Sequence, residues 1–276
     1  MQTPAHDIVT LRYIVHKPFP STSDVVDFGN PVQPFPNYYS LGRNIRWFAE
    51  HGVRGVFEEG AGVQAGGGTD LIEMKAYVMA EMLWDPYRRD PDQLITEFLV
   101  GYYSPAAAPF LRLYIDTMHS SVNATKTFLL ADACSFGKAC KMEHLGVVNC
   151  RGFLTPLALL ESARAFSSAV TALNHSSATK DTIAIYLKRV ERASMSVLYN
   201  VLWRWTEVRQ YARSHSIPWP LSATQQEGFA RFAAIYNASS SQDLSNLAGP
   251  GKRAGLHWFH NCIFATVAKP DPGCKC

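Results

Sequence analysis

Residues 180–213 read KDTIAIYLKRVERASMSVLYNVLWRWTEVRQYAR and form the longest helical pattern in the chain. Apolar side chains recur every three or four residues along this stretch, which is the spacing of an amphipathic α-helix. The apolar positions are Ile183, Leu187, Val190, Val197 and Val201. The segment Ile217-Pro218-Trp219-Pro220 stops the pattern. The stretch therefore predicts a long helix packed in a helical bundle.

Helix signals continue on both sides of this stretch. Asp90-Pro91 and Ser104-Pro105 each place a capping residue before a proline, which predicts a helix start at each position. Residues 153–174 and 222–238 also have helical periodicity, whereas residues 132–152 resemble an irregular connection. The larger part of the chain is thus predicted to be α-helical.

The first part of the chain has a different pattern. Ile8–Val15 is a β-branched, nearly unbroken apolar run, which is typical of a strand covered on both faces. Asn37 is placed to cap a helix from about Tyr38 to His51, and Val53–Phe57 follows as a second short strand. Strand, loop, helix and strand in this order predict a β/α unit.

A further helix is predicted to end near Trp84. Asp70 and Glu73, three residues apart, resemble a capping box at its start. The positions expected to face the core are Ile72, Ala76, Met79 and Leu83.

Composition limits the function classes. The chain has 276 residues, 47% of them hydrophobic, which is enough to fill a sizeable core. The net charge of +3 comes without an extended basic stripe, so the sequence disfavours a nucleic-acid partner. The apolar runs are far shorter than the roughly 18 to 20 residues that a membrane helix needs, so no membrane span is predicted. The oligomeric state is not predicted.

Signals for cellular location point in opposite directions. The first residues lack the charged and apolar pattern of a secretory signal peptide. Yet the chain has six cysteines and three triplets of the N-glycosylation type, at Asn123, Asn174 and Asn237. Secretion as part of a longer parent protein and an intracellular location therefore both stay open.

Three stretches together resemble a known family. They are residues 44–60, NIRWFAEHGVRGVFEEG, residues 75–86, KAYVMAEMLWDP, and residues 97–103, EFLVGYY. In order and spacing they resemble the uncharacterised domain family called domain of unknown function 4838, which is associated with glycoside-hydrolase-like barrels akin to α-glucuronidases and β-hexosaminidases. The resemblance covers residues 7 to about 120 most specifically.

The resemblance implies a fold and a domain division. The fold class would be mainly α with a short β/α part: the C-terminal fragment of a (β/α)8 barrel, followed by an α-helical bundle. The last barrel units would lie in residues 1–86, the helical domain in residues 87–248, and an irregular cysteine-containing tail in residues 249–276. A complete barrel needs about 200 or more residues, so the resemblance also implies that the first half of the barrel is missing.

The same resemblance suggests candidate site residues. Catalytic groups of such barrels project from the C-terminal ends of strands, which makes Glu58 and Glu59 the candidate catalytic residues. Because adjacent strand residues point to opposite faces, the two glutamates are poorly placed to form a catalytic pair. The second carboxylate would come from the missing half of the barrel or from Asp70 and Glu73. The alternative is that both glutamates are solvent or salt-bridge groups. The candidate substrate-binding residues are Tyr13, His16, Tyr39 and Asp70.

Two departures weaken a direct transfer of the site. The chain has Leu11-Arg12-Tyr13 where the family usually has Trp-Asp-Tyr, and it has Glu59 where the family more often has Gln. Trp47 offers a ring that could stack on a sugar but is expected to lie in the core.

No metal or cofactor is predicted. Cys134, Cys140, His144 and Cys150 lack the paired spacing of zinc ligands, so disulfides or reduced thiols are favoured there. The leading functional prediction is a fragment of a glycoside-hydrolase-like, carbohydrate-active protein that is not catalytic by itself, with carbohydrate as partner. The alternative is a non-enzymatic carbohydrate-binding or structural helical module.

Overall fold

The structure, a computed structural model, describes residues 34–53, 56, 70–125, 152–239 and 256–264. Within these ranges, 76% of the residues are helical. The helices are α1 (Tyr38–Glu50), α2 (Ile72–Trp84), α3 (Pro91–Tyr103), α4 (Ala108–Thr125), α5 (Pro156–Asn174), α6 (Lys180–Trp203), α7 (Trp205–Ser214), α8 (Gln225–Ser239) and α9 (Leu256–Ile263).

The predicted barrel fragment is wrong, because the described residues contain no strand and no sheet. Val53 and Val56, which belong to the predicted strand Val53–Phe57, are described and are not in a strand. The predicted strand Ile8–Val15 lies outside the described residues. A short β-branched run becomes a strand only with a hydrogen-bonding neighbour, and periodicity alone cannot supply that information. The mainly α-helical character is confirmed.

Local capping explains where several helices begin. The Asp90 carboxylate accepts hydrogen bonds from the backbone N–H groups of Asp92 and Gln93, at 2.8 and 3.0 Å, and Pro91 occupies the first helical position of α3. Thr155 caps α5 in the same way through the N–H of Ala158, at 3.1 Å. The sequence prediction of the α3 start is confirmed, since a side-chain acceptor and a proline satisfy the first turn.

The stretch predicted as one helix to Arg213 is divided into α6 and α7. Arg204 leaves helical geometry between them, with φ −111° and ψ 27°. Its guanidinium donates to the main-chain carbonyl of Leu154 and pairs with Glu207. The change of direction lets α7 pack against α5. The predicted bundle is confirmed, with one more bend than the periodicity indicated.

The helices enclose one continuous hydrophobic core. Helices α4, α5 and α6 pack side by side, α8 covers α6, and the N-terminal helices α1 to α3 pack against one another. Buried residues from all nine described helices belong to a single cluster. This cluster crosses the predicted domain boundary between residues 86 and 87. Residues 249–276, predicted to be irregular, contain the short helix α9.

The inward face of α2 differs from the predicted one. The buried positions are Ile72, Met74, Lys75, Val78 and Met82, whereas Leu83, which was expected to face the core, is exposed. At the neighbouring contact, Gly42 of α1 lies so close to Pro91 that an added Cβ would be 2.7 Å from the proline Cβ. This close approach holds α1 against the start of α3.

Candidate functional site

The structure describes two of the six predicted site residues. Glu58, Glu59, Tyr13 and His16 lie outside the described residues. Tyr39 and Asp70 are described, and they belong to different clusters of polar side chains.

Asp70 lies at the centre of a buried polar group, here called the Asp70 cluster, which comprises Asp70, Lys75, Tyr38, Tyr114 and the main chain of Phe35. One carboxylate oxygen, Oδ1, accepts hydrogen bonds from the hydroxyls of Tyr38 and Tyr114, each at 2.5 Å. The other, Oδ2, accepts from Lys75 Nζ and from the N–H of Phe35, each at 2.7 Å. Four donors thus converge on one carboxylate from the segment before α1 and from helices α1, α2 and α4.

The main chain of Phe35 is held on both sides by this ion pair. Its N–H donates to Asp70, and its carbonyl accepts from Lys75 Nζ at 2.8 Å. The contacts join residues that are 35 and 40 positions apart in sequence. The segment between Phe35 and Asp70 is therefore anchored at both ends, and this segment carries Glu58 and Glu59.

Burial determines the electrostatics of the Asp70 cluster. The Lys75 and Asp70 side chains are 0% and 2% exposed. Burial lowers the pKa of Lys75 from its ordinary value of 10.5, and the adjacent Asp70 carboxylate offsets part of that effect. The pKa values of Tyr38 and Tyr114 lie well above 10.0, first because burial disfavours a phenolate and second because Asp70 is negatively charged. Both tyrosines are therefore protonated donors over the whole physiological pH range.

The backbone at Asp70 is strained. Asp70 and Leu71 have φ values of 53° and 58°, in the left-handed region that non-glycine residues rarely adopt. A left-handed conformation costs on the order of 1–2 kcal/mol per residue. Leu71 is fully buried. Its neighbour Asp70 is fixed in place by the four hydrogen bonds that its carboxylate accepts. Packing and polar bonding together therefore maintain the strained turn that begins α2.

The predicted capping box at this turn is wrong. Helix α2 has Leu71 in the capping position and no side-chain cap, because the Asp70 carboxylate turns inward to the cluster. Glu73 instead pairs with Arg192 of α6 at 3.1 Å. Since each oxygen of Asp70 already accepts two hydrogen bonds and the residue is 1% exposed, the carboxylate acts as an internal anchor of the fold.

Tyr39 belongs to a surface cluster between α1 and α4. Its hydroxyl donates to Asp116 and accepts from Arg112 at 3.0 Å. The guanidinium groups of Arg43 and Arg112 each lie 5.8 Å from the ring centroid. Burial, followed by the hydrogen bond to Asp116, raises the pKa of Tyr39. The Tyr39 ring thus already contacts two arginine side chains, and its hydroxyl is already hydrogen-bonded to Asp116 and Arg112.

Two tryptophan rings are exposed on this part of the molecule. Trp47 is 54% exposed and stacks on His51 with centroids 4.0 Å apart, so its predicted core position is wrong. Trp84, at the end of α2, is 91% exposed. Arg46, next to Trp47, donates to the carbonyl of Pro86 at 2.8 Å. This contact brings the outer part of α1 to the turn that follows Trp84.

A second candidate site is a cavity of about 280 Å³ where α6 meets α7. It is lined by Trp203, Arg204, Trp205, Thr206, Glu207, Gln225 and Ile263. The Arg204–Glu207 pair, with N–O distances of 2.6 and 2.8 Å, lies in its wall. The two side chains are hydrogen-bonded to each other, and Arg204 also donates a hydrogen bond to the carbonyl of Leu154. The pair therefore acts as a structural connection at the bend.

The described part of the chain has neither a metal-binding cluster nor a membrane-spanning helix. No group of three or more His, Cys, Asp or Glu side chains is arranged to hold a metal ion in the described part of the chain. None of the described helices is long and apolar enough to cross a membrane. Cys262, at the end of α9, is disulfide-bonded. Cys134, Cys140, His144 and Cys150, for which the sequence favours disulfides or reduced thiols over a zinc site, lie outside the described residues.

Sequence reasoning missed Lys75 and Tyr114. Lys75 lies four residues after Leu71 and three before Val78, which places a lysine in the middle of an apolar helical face. A charged residue at such a position indicates a buried ionic partner, and this signal was available in the sequence. Tyr114 carried no comparable signal, because it lies 44 residues away from Asp70.

Comparison with known proteins gives one match. No curated protein and no solved structure is significantly similar to the chain. Residues 23–116, which contain all five residues of the Asp70 cluster as well as Glu58 and Glu59, match the model of an uncharacterised family described as Domain of unknown function (DUF4838).

Proposed function

We propose that the chain is a helical module of a glycoside-hydrolase-like, carbohydrate-active protein, and that it is not catalytic by itself. In this proposal the module binds carbohydrate through the segment between Phe35 and Asp70, with Glu58 and Glu59 as acidic contacts to sugar hydroxyls. The carbohydrate class comes from the resemblance of this segment to its family.

The observation that supports this role is the anchoring of Phe35 by Asp70 and Lys75. Two hydrogen bonds, at 2.7 and 2.8 Å, connect the two ends of the segment inside the core. A binding segment has higher affinity when its ends are fixed before the ligand arrives, because less conformational entropy is lost on binding. The Asp70 cluster would supply this preorganisation.

A specific observation favours a non-catalytic module over an active glycosidase. Glycoside hydrolysis needs two carboxyl groups roughly 5 to 9.5 Å apart across the scissile bond. The structure describes two candidates for the second carboxylate: Asp70 is buried and accepts four hydrogen bonds, and Glu73 pairs with Arg192 at 3.1 Å. Both are therefore already paired within the fold, which disfavours either as the second carboxylate for Glu58 or Glu59.

The test combines binding and turnover with the full chain. We expect oligosaccharide binding by calorimetry without hydrolysis of aryl α- or β-glycosides. Glu58→Gln or Glu59→Gln should weaken binding about tenfold, as expected for the loss of one charge-assisted hydrogen bond. Glu161→Gln, at an exposed position of α5, is the matched control and should leave affinity unchanged.

Three results would change the proposal. Turnover that is lost in Glu58→Gln or Glu59→Gln would show that the chain is catalytic alone. Unchanged binding in both variants would remove the acidic segment from the site. Failure to bind any oligosaccharide would leave a structural helical module without a carbohydrate ligand.

A further inference from the structure

The three N-glycosylation triplets of the sequence differ in structural setting. Asn123 and Asn237 lie inside α4 and α8, and their triplets end within those helices. Asn174 is the last residue of α5, and its triplet Asn174-His175-Ser176 continues into the turn before α6. Glycosylation acceptors in secreted proteins lie in surface loops, so the triplet at Asn174 has the favoured setting.

The surroundings of Asn174 leave room for a large substituent. Asn174 and His175 are exposed, and residues 177–181, which lead into α6, are exposed as well. The Asn174 amide makes no hydrogen bond to another described residue, so its modification would break no contact of the described fold. Asn123 differs, because its amide nitrogen lies 3.1 Å from the His119 ring.

A second observation concerns the compartment. Cys262 is disulfide-bonded in α9, a helix that contributes Phe259 to the core. Disulfides persist mainly in oxidising compartments and are rare in cytosolic proteins. The compartment that sustains such a bond in a secreted protein is also the one where asparagine-linked glycans are added.

We propose that Asn174 is an N-glycosylation site of this protein. The donor is a lipid-linked oligosaccharyl diphosphate, and the acceptor is the side-chain amide nitrogen of Asn174. A bond forms between that nitrogen and the anomeric carbon of the sugar, and the bond from this carbon to the diphosphate oxygen breaks. The lipid diphosphate leaves, and the amide nitrogen loses one proton. This inference is independent of the proposed carbohydrate-binding function.

Glycosylation at this position has a consequence for partner binding. A glycan on Asn174 would cover the turn between α5 and α6 with a hydrated, bulky group. Protein partners would then be kept away from this end of the bundle.

The test uses the full chain isolated from its native cells. Intact mass and peptide mapping before and after digestion with a peptide N-glycosidase should show a glycan on the peptide that contains Asn174. The same peptide should be unmodified in Asn174→Gln and in Ser176→Ala. Ser177→Ala, one position outside the triplet, is the matched control and should keep the glycan.

A second variant separates glycosylation from folding. Ser176 Oγ donates to the carbonyl of Leu173 at 2.7 Å, so Ser176→Ala removes this hydrogen bond along with the acceptor hydroxyl. Ser176→Thr keeps a hydroxyl and should keep the glycan. An unmodified Asn174 peptide in the native protein, or a glycan that persists in Ser176→Ala, would overturn the proposal.

Discussion

The Asp70 cluster and the rings around Phe259 belong to the same hydrophobic core but hold it together by different interactions. Asp70 accepts four hydrogen bonds at 2.5 to 2.7 Å from fixed donors. Phe259 instead lies 4.6 to 5.9 Å, between ring centroids, from Tyr199, Phe232, Trp203 and Phe229. The first group is directional and specifies one arrangement of chain segments, whereas the second is apolar and tolerates small displacements.

This difference has consequences for stability. In a buried polar network, each group depends on its partner, and the loss of one partner leaves a charge or a donor without compensation. In a cluster of rings, the loss of one ring removes contacts and leaves a cavity that neighbours can partly fill. We therefore expect the N-terminal part to be sensitive to the chemical nature of a substitution and the C-terminal part to be sensitive to its volume.

The largest effect is expected for Asp70→Asn. The change keeps the size of the side chain but removes the carboxylate that pairs with the buried Lys75 ammonium. Breaking a buried ion pair by removing one partner costs about 3–5 kcal/mol. Urea unfolding should show this loss, whereas Asp181→Asn, at the exposed first turn of α6, should cost below about 1 kcal/mol. A loss below about 1 kcal/mol for Asp70→Asn would mean that Lys75 gives up its proton easily in the folded state.

The second-largest loss of stability is expected for Phe259→Ala, which tests the cluster of rings around Phe259. Phe259 is fully buried, and truncation of a buried phenylalanine costs about 3–5 kcal/mol. We expect about 3 kcal/mol, because α9 is a short helix whose neighbours can close part of the cavity. Urea unfolding measures the loss, and Ile185→Ala, at an exposed position of α6, should stay within about 0.5 kcal/mol. Equal stability of Phe259→Ala and the unmodified protein would show that α9 is not part of the cooperative core.

The sequence predicted the helices better than their contacts. Periodicity located α1, where Asn37 makes no side-chain cap, and the Asp90-Pro91 signal located the start of α3, because both signals are local. The inward face of α2 was predicted incorrectly, since the predicted positions included Leu83 but left out Lys75, which lies on the buried face. The strand at Val53–Phe57 was inferred from a short apolar run, and such a run forms a strand only with a partner in a sheet.

The candidate site was predictable only as a region. Asp70 was selected from the sequence, but as a ligand-binding group at a helix cap. Its actual contacts come from Tyr114 and Phe35, which are 44 and 35 residues away, and no local pattern specifies such distances. Tertiary packing therefore determined the role of Asp70, while the sequence determined its position at the start of α2.

Tyr114→Phe should change both stability and its pH dependence. Removing the hydroxyl deletes one hydrogen bond to a charged acceptor, which is worth about 1.5–3 kcal/mol. The pKa of Tyr114 is raised in the folded protein, so this residue stabilises the fold fully below pH 10.0 and loses that contribution as the pH rises through the folded-state value. The variant should therefore lose stability less steeply above about pH 10 than the unmodified protein.

Comparison of the two stability curves isolates this effect. Lys75 acts in the opposite direction, since its pKa is lowered and stability rises with pH between the folded-state value and 10.5. The Lys75 contribution occurs in both proteins and is expected largely to cancel in the difference curve from denaturant titrations. A difference curve that is flat above pH 10 would contradict the assigned role of Tyr114.

The smallest effect is expected for Glu207→Gln, which tests a charged contact outside the core. Arg204 is 9% exposed, but Glu207, which pairs with it at 2.6 Å, is 53% exposed, and ion pairs open to solvent contribute about 0.2–1 kcal/mol. The hydrogen bond from Arg204 lowers the pKa of Glu207, so the contribution is present above the ordinary value of 4.5 and is lost as the pH falls through the folded-state value. Urea unfolding at neutral pH should show a loss of about 0.5 kcal/mol, and added salt should reduce the difference. A loss as large as that of Asp70→Asn would contradict this expectation. It would mean that charge pairing stabilises the bend between α6 and α7 as strongly as it stabilises the Asp70 cluster.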